Sequence, residues 1–160
     1  MLVDSHDDQR RLGSGFHVFA KVVMISPDNN TACPCGRMQS KRSLTFEQCC
    51  QRYLDHFDSV PAPDAESLMR SRYSAFVLQR SSYLLKTWFP SHRPVELDFD
   101  DKVKWLGLQV KAHRVLNSEH AEVEFVARSR AQGKASRLHE LSRFTFQDGR
   151  WYYVDGAMLD

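Results

Sequence analysis

The stretch Ala121-Glu122-Val123-Glu124-Phe125-Val126-Ala127-Arg128 decides the fold. Ala121, Val123, Phe125 and Ala127 alternate with Glu122, Glu124 and Arg128. A period of two places the apolar set on one face of a strand and the charges on the other. Leu106, Leu108, Val110 and Ala112 repeat the pattern upstream against Gly107, Gln109 and Lys111. Leu138 to Phe146 supplies a third run and Trp151 to Val154 a fourth. Asp148-Gly149 between these last two is a two-residue hairpin signal. Asn117-Ser118 and the Gly133 region provide the other turns, so the segment reads as an antiparallel meander.

Before this meander the period is helical. Asp64 is a good N-cap for a helix over Ala65 to Gln79, whose Met69, Tyr73, Phe76 and Val77 fall on one buried face. Ser81 or Ser82 caps a second short helix holding Tyr83, Leu84, Leu85 and Trp88, which Pro90 and Pro94 end. Val60-Pro61-Ala62-Pro63 is a short stiff connector ahead of both. Helices first and a meander second predict an α+β domain over residues 59–160, the helices packed on one face of a curved sheet.

Composition narrows the function. The 160 residues are 42% hydrophobic and 26% charged, an ordinary balance for one folded domain. A net charge of +2, with no run of one sign, gives no reason to expect nucleic acid as a partner. No segment approaches the roughly 18 apolar residues of a membrane span. Phe16 to Ile25 is interrupted by Lys21 and follows Asp4, Asp7 and Asp8, which argues against a secretory signal. A cytoplasmic location is expected, where thiols stay reduced and clustered cysteines favour metal or redox chemistry over disulfides.

Residues 1–30 carry weak helix or strand signals and end in the breaker cluster Ser26-Pro27-Asp28-Asn29-Asn30. Residues 1–23 read as a weakly ordered arm or a translation-start artefact, with Met24 an alternative start. All four cysteines follow in residues 31–58: Cys33-Pro34-Cys35-Gly36, then Cys49-Cys50. Two close pairs can supply the four thiolates of a tetrahedral structural zinc site. Gly36 suits a tight knuckle, and Cys49-Cys50 opens a helix through Tyr53, Leu54 and Phe57. Ordinary buried cysteines and a thiol–disulfide relay are the alternatives. Four thiolates close the metal shell, so a structural ion is favoured over a catalytic one.

These cysteines resemble the SEC-C zinc motif, found at the C-terminus of SecA and in other bacterial proteins. The gap in that motif is shorter, so Arg37 to Gln48 reads as an insertion. Leu68-Met69-Arg70-Ser71-Arg72-Tyr73-Ser74-Ala75-Phe76 is similar to a signature of the bacterial YchJ family. Tyr83-Leu84, Thr87-Trp88, Trp105, Val123 to Ala127, His139-Glu140, Ser142-Arg143-Phe144 and Trp151 to Gly156 continue that resemblance to about residue 158. It implies a cone-shaped α+β domain like that of nuclear transport factor 2.

Such cones often leave a cavity between helices and sheet. Glu140 is the clearest candidate to line one, because it shares a strand face with Leu138, Ser142, Phe144 and Phe146. Arg70, Arg72 and Arg143 are its candidate partners, Arg72 foremost, and Tyr73 joins them as a weak ligand-binding set. A structural Glu–Arg bridge is the plainer alternative. His139 falls on the opposite face. Trp88, Trp105 and Trp151 read as core anchors. With no catalytic motif recognised, no catalytic residue is assigned. The favoured function is a non-enzymatic accessory module that docks on another protein through its zinc motif. The alternative is a protein or enzyme using a polar pocket for a small molecule. A well-formed cavity at Glu140 favours the second; a solid core removes it.

Overall fold

The computed structural model describes residues 28 and 30–160. The expectations for residues 1–23 and for a start at Met24 lie outside the described residues. The cysteine segment begins with the knuckle: Gly36 adopts φ +66°, and its N–H donates to Cys33 O at 2.9 Å. A small exposed hairpin of β1 (Met38–Gln39) and β2 (Arg42–Ser43) follows. Phe46, only 1% exposed, then anchors a π-helical turn, Glu47–Gln51, through Gln51 N–H to Phe46 O at 3.0 Å. The turn carries Cys49 and Cys50 and runs into α1 (Arg52–Asp55), where the helix stops short of Phe57.

Helix α2 (Ala65–Val77) starts where expected, with Asp64 Oδ1 accepting the Ser67 N–H at 2.7 Å. It ends in a Schellman arrangement: Arg80 N–H reaches Ala75 O at 2.8 Å and Gln79 N–H reaches Phe76 O at 3.3 Å. The left-handed residue is Gln79, at φ +54°. Helix α3 (Ser81–Lys86) has no side-chain cap, so neither Ser81 nor Ser82 serves as one. It stops before Trp88 and the prolines. Thr87 Oγ1 turns back to Tyr83 O at 2.8 Å, and Trp88 instead bridges Tyr153 on the last strand.

Strands β3 (Val103–Val115), β4 (His120–Ala131), β5 (Lys134–Gln147) and β6 (Arg150–Met158) form one antiparallel meander in that order. Asp148 and Gly149 both take positive φ, 51° and 80°, as the β5–β6 hairpin turn requires. Strand β3 departs from simple alternation. A bulge between Trp105 and Gly107 shifts its phase, so Trp105 faces the helices and Leu106 is 49% exposed. Beyond the bulge Leu108 and Val110 pack against the core as predicted.

Helix α2 lies against β3, β4 and β6. One hydrophobic cluster runs from Cys33, Cys35, Cys49 and Cys50 through Tyr53, Leu68 and Tyr83 to Val123 and Phe144. The cysteine segment is thus continuous in packing with the domain that follows it. The α2 face beneath the cysteine segment is built of buried serines, which let backbone and side chains approach closely: Ser67 (2% exposed), Ser71 (0%) and Ser74 (0%). Ser67 Oγ accepts from Arg37 at 2.9 Å, and Ser74 Oγ lies 3.7 Å from Cys33 Sγ. Among the described residues no helix is long and apolar enough to cross a membrane.

Candidate functional site

Two chemical centres lie on opposite sides of α2. The first is the cysteine cluster. The knuckle presents Cys33 and Cys35, the π-helical turn presents Cys49 and Cys50, and all four Sγ atoms lie within 4.8 Å of one another. Cys35 and Cys49 Sγ are 3.6 Å apart, and Cys49 and Cys50 Sγ are 3.8 Å apart. A tetrahedron with bonds of about 2.3 Å to sulfur has edges of about 3.8 Å, so the donor set fits a metal ion. Hydrogen bonds from Cys35, Cys49 and Cys50 drive the Cys33 thiol far below its usual range. Cys35, although its contact with Cys33 opposes this, is also lowered by Cys49 and Cys50, while contacts with Cys33 and Cys35 push Cys49 and Cys50 well above theirs. Negative charge is favoured on the Cys33 and Cys35 pair and opposed on Cys49 and Cys50, so ionising all four in this buried cluster calls for a cation. Arg70 supports the knuckle from outside, donating to Cys35 O at 3.1 Å while its Nε bonds Glu66 at 2.7 Å.

The second centre is a cavity of about 220 Å³ between α2, the Trp88 segment and the inner face of the sheet. The β4–β5 register builds its floor by setting Phe125 opposite Glu140, Val123 opposite Ser142 and Ala127 opposite Leu138. Aromatic rings of Phe76, Trp88, Trp105 and Tyr153 form much of the remaining wall. Arg72, 6% exposed, enters from α2. Its Nη1 donates to Leu84 O at 2.8 Å and to Thr87 Oγ1 at 2.7 Å. Its guanidinium carbon lies 4.5 Å from the Tyr153 ring centre and 5.1 Å from that of Trp88. Burial lowers the Arg72 pKa to about 10, which leaves it cationic at neutral pH.

Glu140 faces the same space but is not ion-paired to Arg72. Its Oε1 accepts from Ser142 Oγ at 2.7 Å and from Tyr153 OH at 3.1 Å. Burial, and then the nearby Glu140, push the Tyr153 phenol well above its usual range, so it stays a donor. The direct Arg72–Glu140 bridge expected from the sequence is replaced by Tyr153, whose ring contacts one and whose hydroxyl contacts the other.

Of the residues singled out by sequence, Arg72, Tyr73 and Glu140 line the cavity. Arg70 does not: two positions from Arg72 on a helix is a turn of about 200°, which points it at the cysteine segment. Arg143 does not either. It lies on the outer sheet face, 64% exposed, with Nε bonded to Asp155 at 2.6 Å. His139 is on that outer face as expected, 3.0 Å from Glu124. Trp105 and Trp151 pack against the core as expected, Trp151 on Phe146 as well, while Trp88 and Trp105 also wall the cavity. Tyr153, within the Trp151 to Gly156 run, is a cavity residue that the sequence reading does not single out.

The comparisons agree with this architecture. The sequence model described as "YchJ, middle NTF2-like domain" matches residues 64–156. A UPF0225 protein of Polaromonas sp. is 64% identical over 126 residues, spanning 78% of this chain and 91% of that protein. A UPF0225 protein of Bordetella parapertussis is 54% identical over 131 residues, spanning 81% and 95%. The crystal structure of a SEC-C motif containing protein from Psychrobacter arcticus superposes with a TM-score of 0.69 at 33% identity, covering 82% of this chain and 85% of that one. The solution structure of a SEC-C motif containing protein from Rhodopseudomonas palustris gives 0.68 at 31% identity, covering 81% and 100%.

Proposed function

The chain belongs to the YchJ family, and from that premise we propose that it is a small-molecule-binding protein whose fold is held by a structural zinc ion. The observation that carries the reading is the cavity, in which a buried cation and a carboxylate face one space without neutralising each other. Small-molecule sites are concave, mostly apolar and marked by a few polar groups, which describes this lining. Cys33, Cys35, Cys49 and Cys50 would hold zinc, and the ion would supply charge compensation and folding energy rather than chemistry.

The test is a fragment screen by ligand-observed NMR on the zinc-loaded protein, repeated on Ala127→Leu. Ala127 is 3% exposed and lines the cavity, so added side-chain volume there fills ligand space. Hits that bind wild type and lose affinity in the variant support the reading. An absence of hits, or hits indifferent to the substitution, removes it.

A second reading rests on a different surface. The β1–β2 hairpin projects from the cysteine segment with Met38 56% exposed and Lys41 and Arg42 beside it. That combination suits docking on an acidic protein partner through the zinc motif. A specific partner whose capture survives Ala127→Leu but fails with Met38→Glu would support it.

A further inference from the structure

This inference rests on the cavity being a ligand site and concerns what it takes. A buried guanidinium without an anion is costly, so its unspent donors matter. Arg72 uses Nη1 on Leu84 O and Thr87 Oγ1; its Nε and Nη2 have no partner among the described residues. Those two N–H groups form the edge that receives a carboxylate with two parallel hydrogen bonds. The rings of Trp88 and Tyr153 lie 5.1 and 4.5 Å from the guanidinium carbon, and the Nε–Nη2 edge carries the donors that remain free. On Glu140 both local donors fall on Oε1, and Oε2 is left as an acceptor among the described residues. Apolar lining from Phe76, Trp105, Phe125 and Leu138 shares the cavity with these two groups. About 220 Å³ holds on the order of ten non-hydrogen atoms, taking the roughly 30 Å³ of liquid water per molecule as a lower guide to packing.

We infer that the ligand is a small bipolar molecule: a carboxylate or similar planar acceptor on Arg72, a hydroxyl or amine donor on Glu140, and a flat apolar body between them. Tyr153 enforces this polarity. Its ring supports the cationic end and its hydroxyl fixes the rotamer of the anionic end, so a ligand with one polar end leaves either the Nε and Nη2 donors of Arg72 or the Oε2 acceptor of Glu140 unused.

The test uses four matched fragments on the zinc-loaded wild-type protein, with affinity read by titration calorimetry and by quenching of Trp88 and Trp105 fluorescence. The fragments are 4-hydroxybenzoate, benzoate, phenol and toluene. The expected result is 4-hydroxybenzoate at least tenfold tighter than benzoate or phenol, with toluene weakest. Glu140→Gln should bring 4-hydroxybenzoate down to the level of benzoate, and Arg72→Lys should bring it down to that of phenol. If Arg72→Lys fails to fold, the four wild-type affinities still decide. Benzoate, phenol or toluene equalling 4-hydroxybenzoate would overturn the bipolar ligand while leaving a small-molecule cavity intact. No binding by any of the four would overturn both.

Discussion

The carboxyl group of Glu140 lies directly over the Cα of Gly156, in space that a Cβ at that position would occupy. Gly156 pairs with Ser142 across the β5–β6 register, and Ser142 in turn donates to Glu140. Glycine here is therefore a requirement of the cavity, since its missing side chain lets a long carboxylate fold back along the sheet. Gly156→Ala should push the Glu140 side chain aside and break its hydrogen bonds from Ser142 and Tyr153. The side chain moves rather than the backbone, so the expected cost is about 1–2 kcal/mol in urea denaturation. Fragment binding at the cavity should be lost together with it. Unchanged binding would show that Glu140 holds its place without Gly156.

Glu140→Gln distinguishes a structural bridge from a ligand group. A broken buried ion pair costs about 3–5 kcal/mol, because the remaining charge is stranded. Arg72 already lacks a direct carboxylate partner, and glutamine keeps an acceptor for Ser142 and Tyr153. The expected loss is therefore under about 1 kcal/mol by chemical denaturation. A loss of 3 kcal/mol or more would show that Arg72 and Glu140 act as a stabilising pair through space.

These two residues also show what was legible in advance. Strand alternation in β4 and β5 correctly placed Val123, Phe125, Ala127, Leu138, Glu140 and Ser142 inward and His139 outward. The same parity rule puts Arg143 outward with His139, and helical geometry turns Arg70 away from Arg72, so both could have been set aside from sequence. What periodicity could not carry was irregular backbone. The bulge at Gly107 exchanged Leu106 for Trp105, and the Thr87 turn took Trp88 out of its helix and onto Tyr153. A register shift between Arg143 and Phe144 precedes Phe146 at the strand end, where it is 37% exposed and packs on Trp151. Part of the cavity's aromatic wall comes from residues displaced at these irregular points, which is why Trp88 and Trp105 read from sequence as core anchors.

Gln79 offers a stability test away from both centres. It holds the left-handed position of the α2 C-terminus at φ +54°, where a side chain costs roughly 1–2 kcal/mol relative to glycine. Its amide donates to Asp101 at 3.1 Å, an exposed contact that returns little. Gln79→Gly should therefore raise stability by about 1 kcal/mol, seen as a higher midpoint in urea with an unchanged slope. A lower midpoint would mean that the Asp101 contact, or the greater freedom of glycine in the unfolded chain, outweighs relief of strain.

Metal removal tests how far the cysteine cluster is part of the domain. If the zinc segment were an independent module, chelation would unfold it alone and leave the cone intact. The packing argues otherwise. Cys33 touches Ser74 near the end of α2, Arg70 of α2 holds the Cys35 carbonyl, and Phe46 shares one buried cluster with Leu68 and Tyr83. Without a cation the four buried thiols cannot all ionise, and the knuckle loses the bonds that join it to the π-helical turn. α2 would then expose its serine face and its contacts with Tyr53 and Phe46. The expected result is about one zinc per chain by elemental analysis, lost on Cys→Ser at any of the four positions. Chelation should also lower the melting temperature of the whole chain in a single transition, with the near-ultraviolet signals of Trp105 and Trp151 falling together. Retention of both signals after complete zinc loss would show that the sheet and its cavity stand without the cysteine segment.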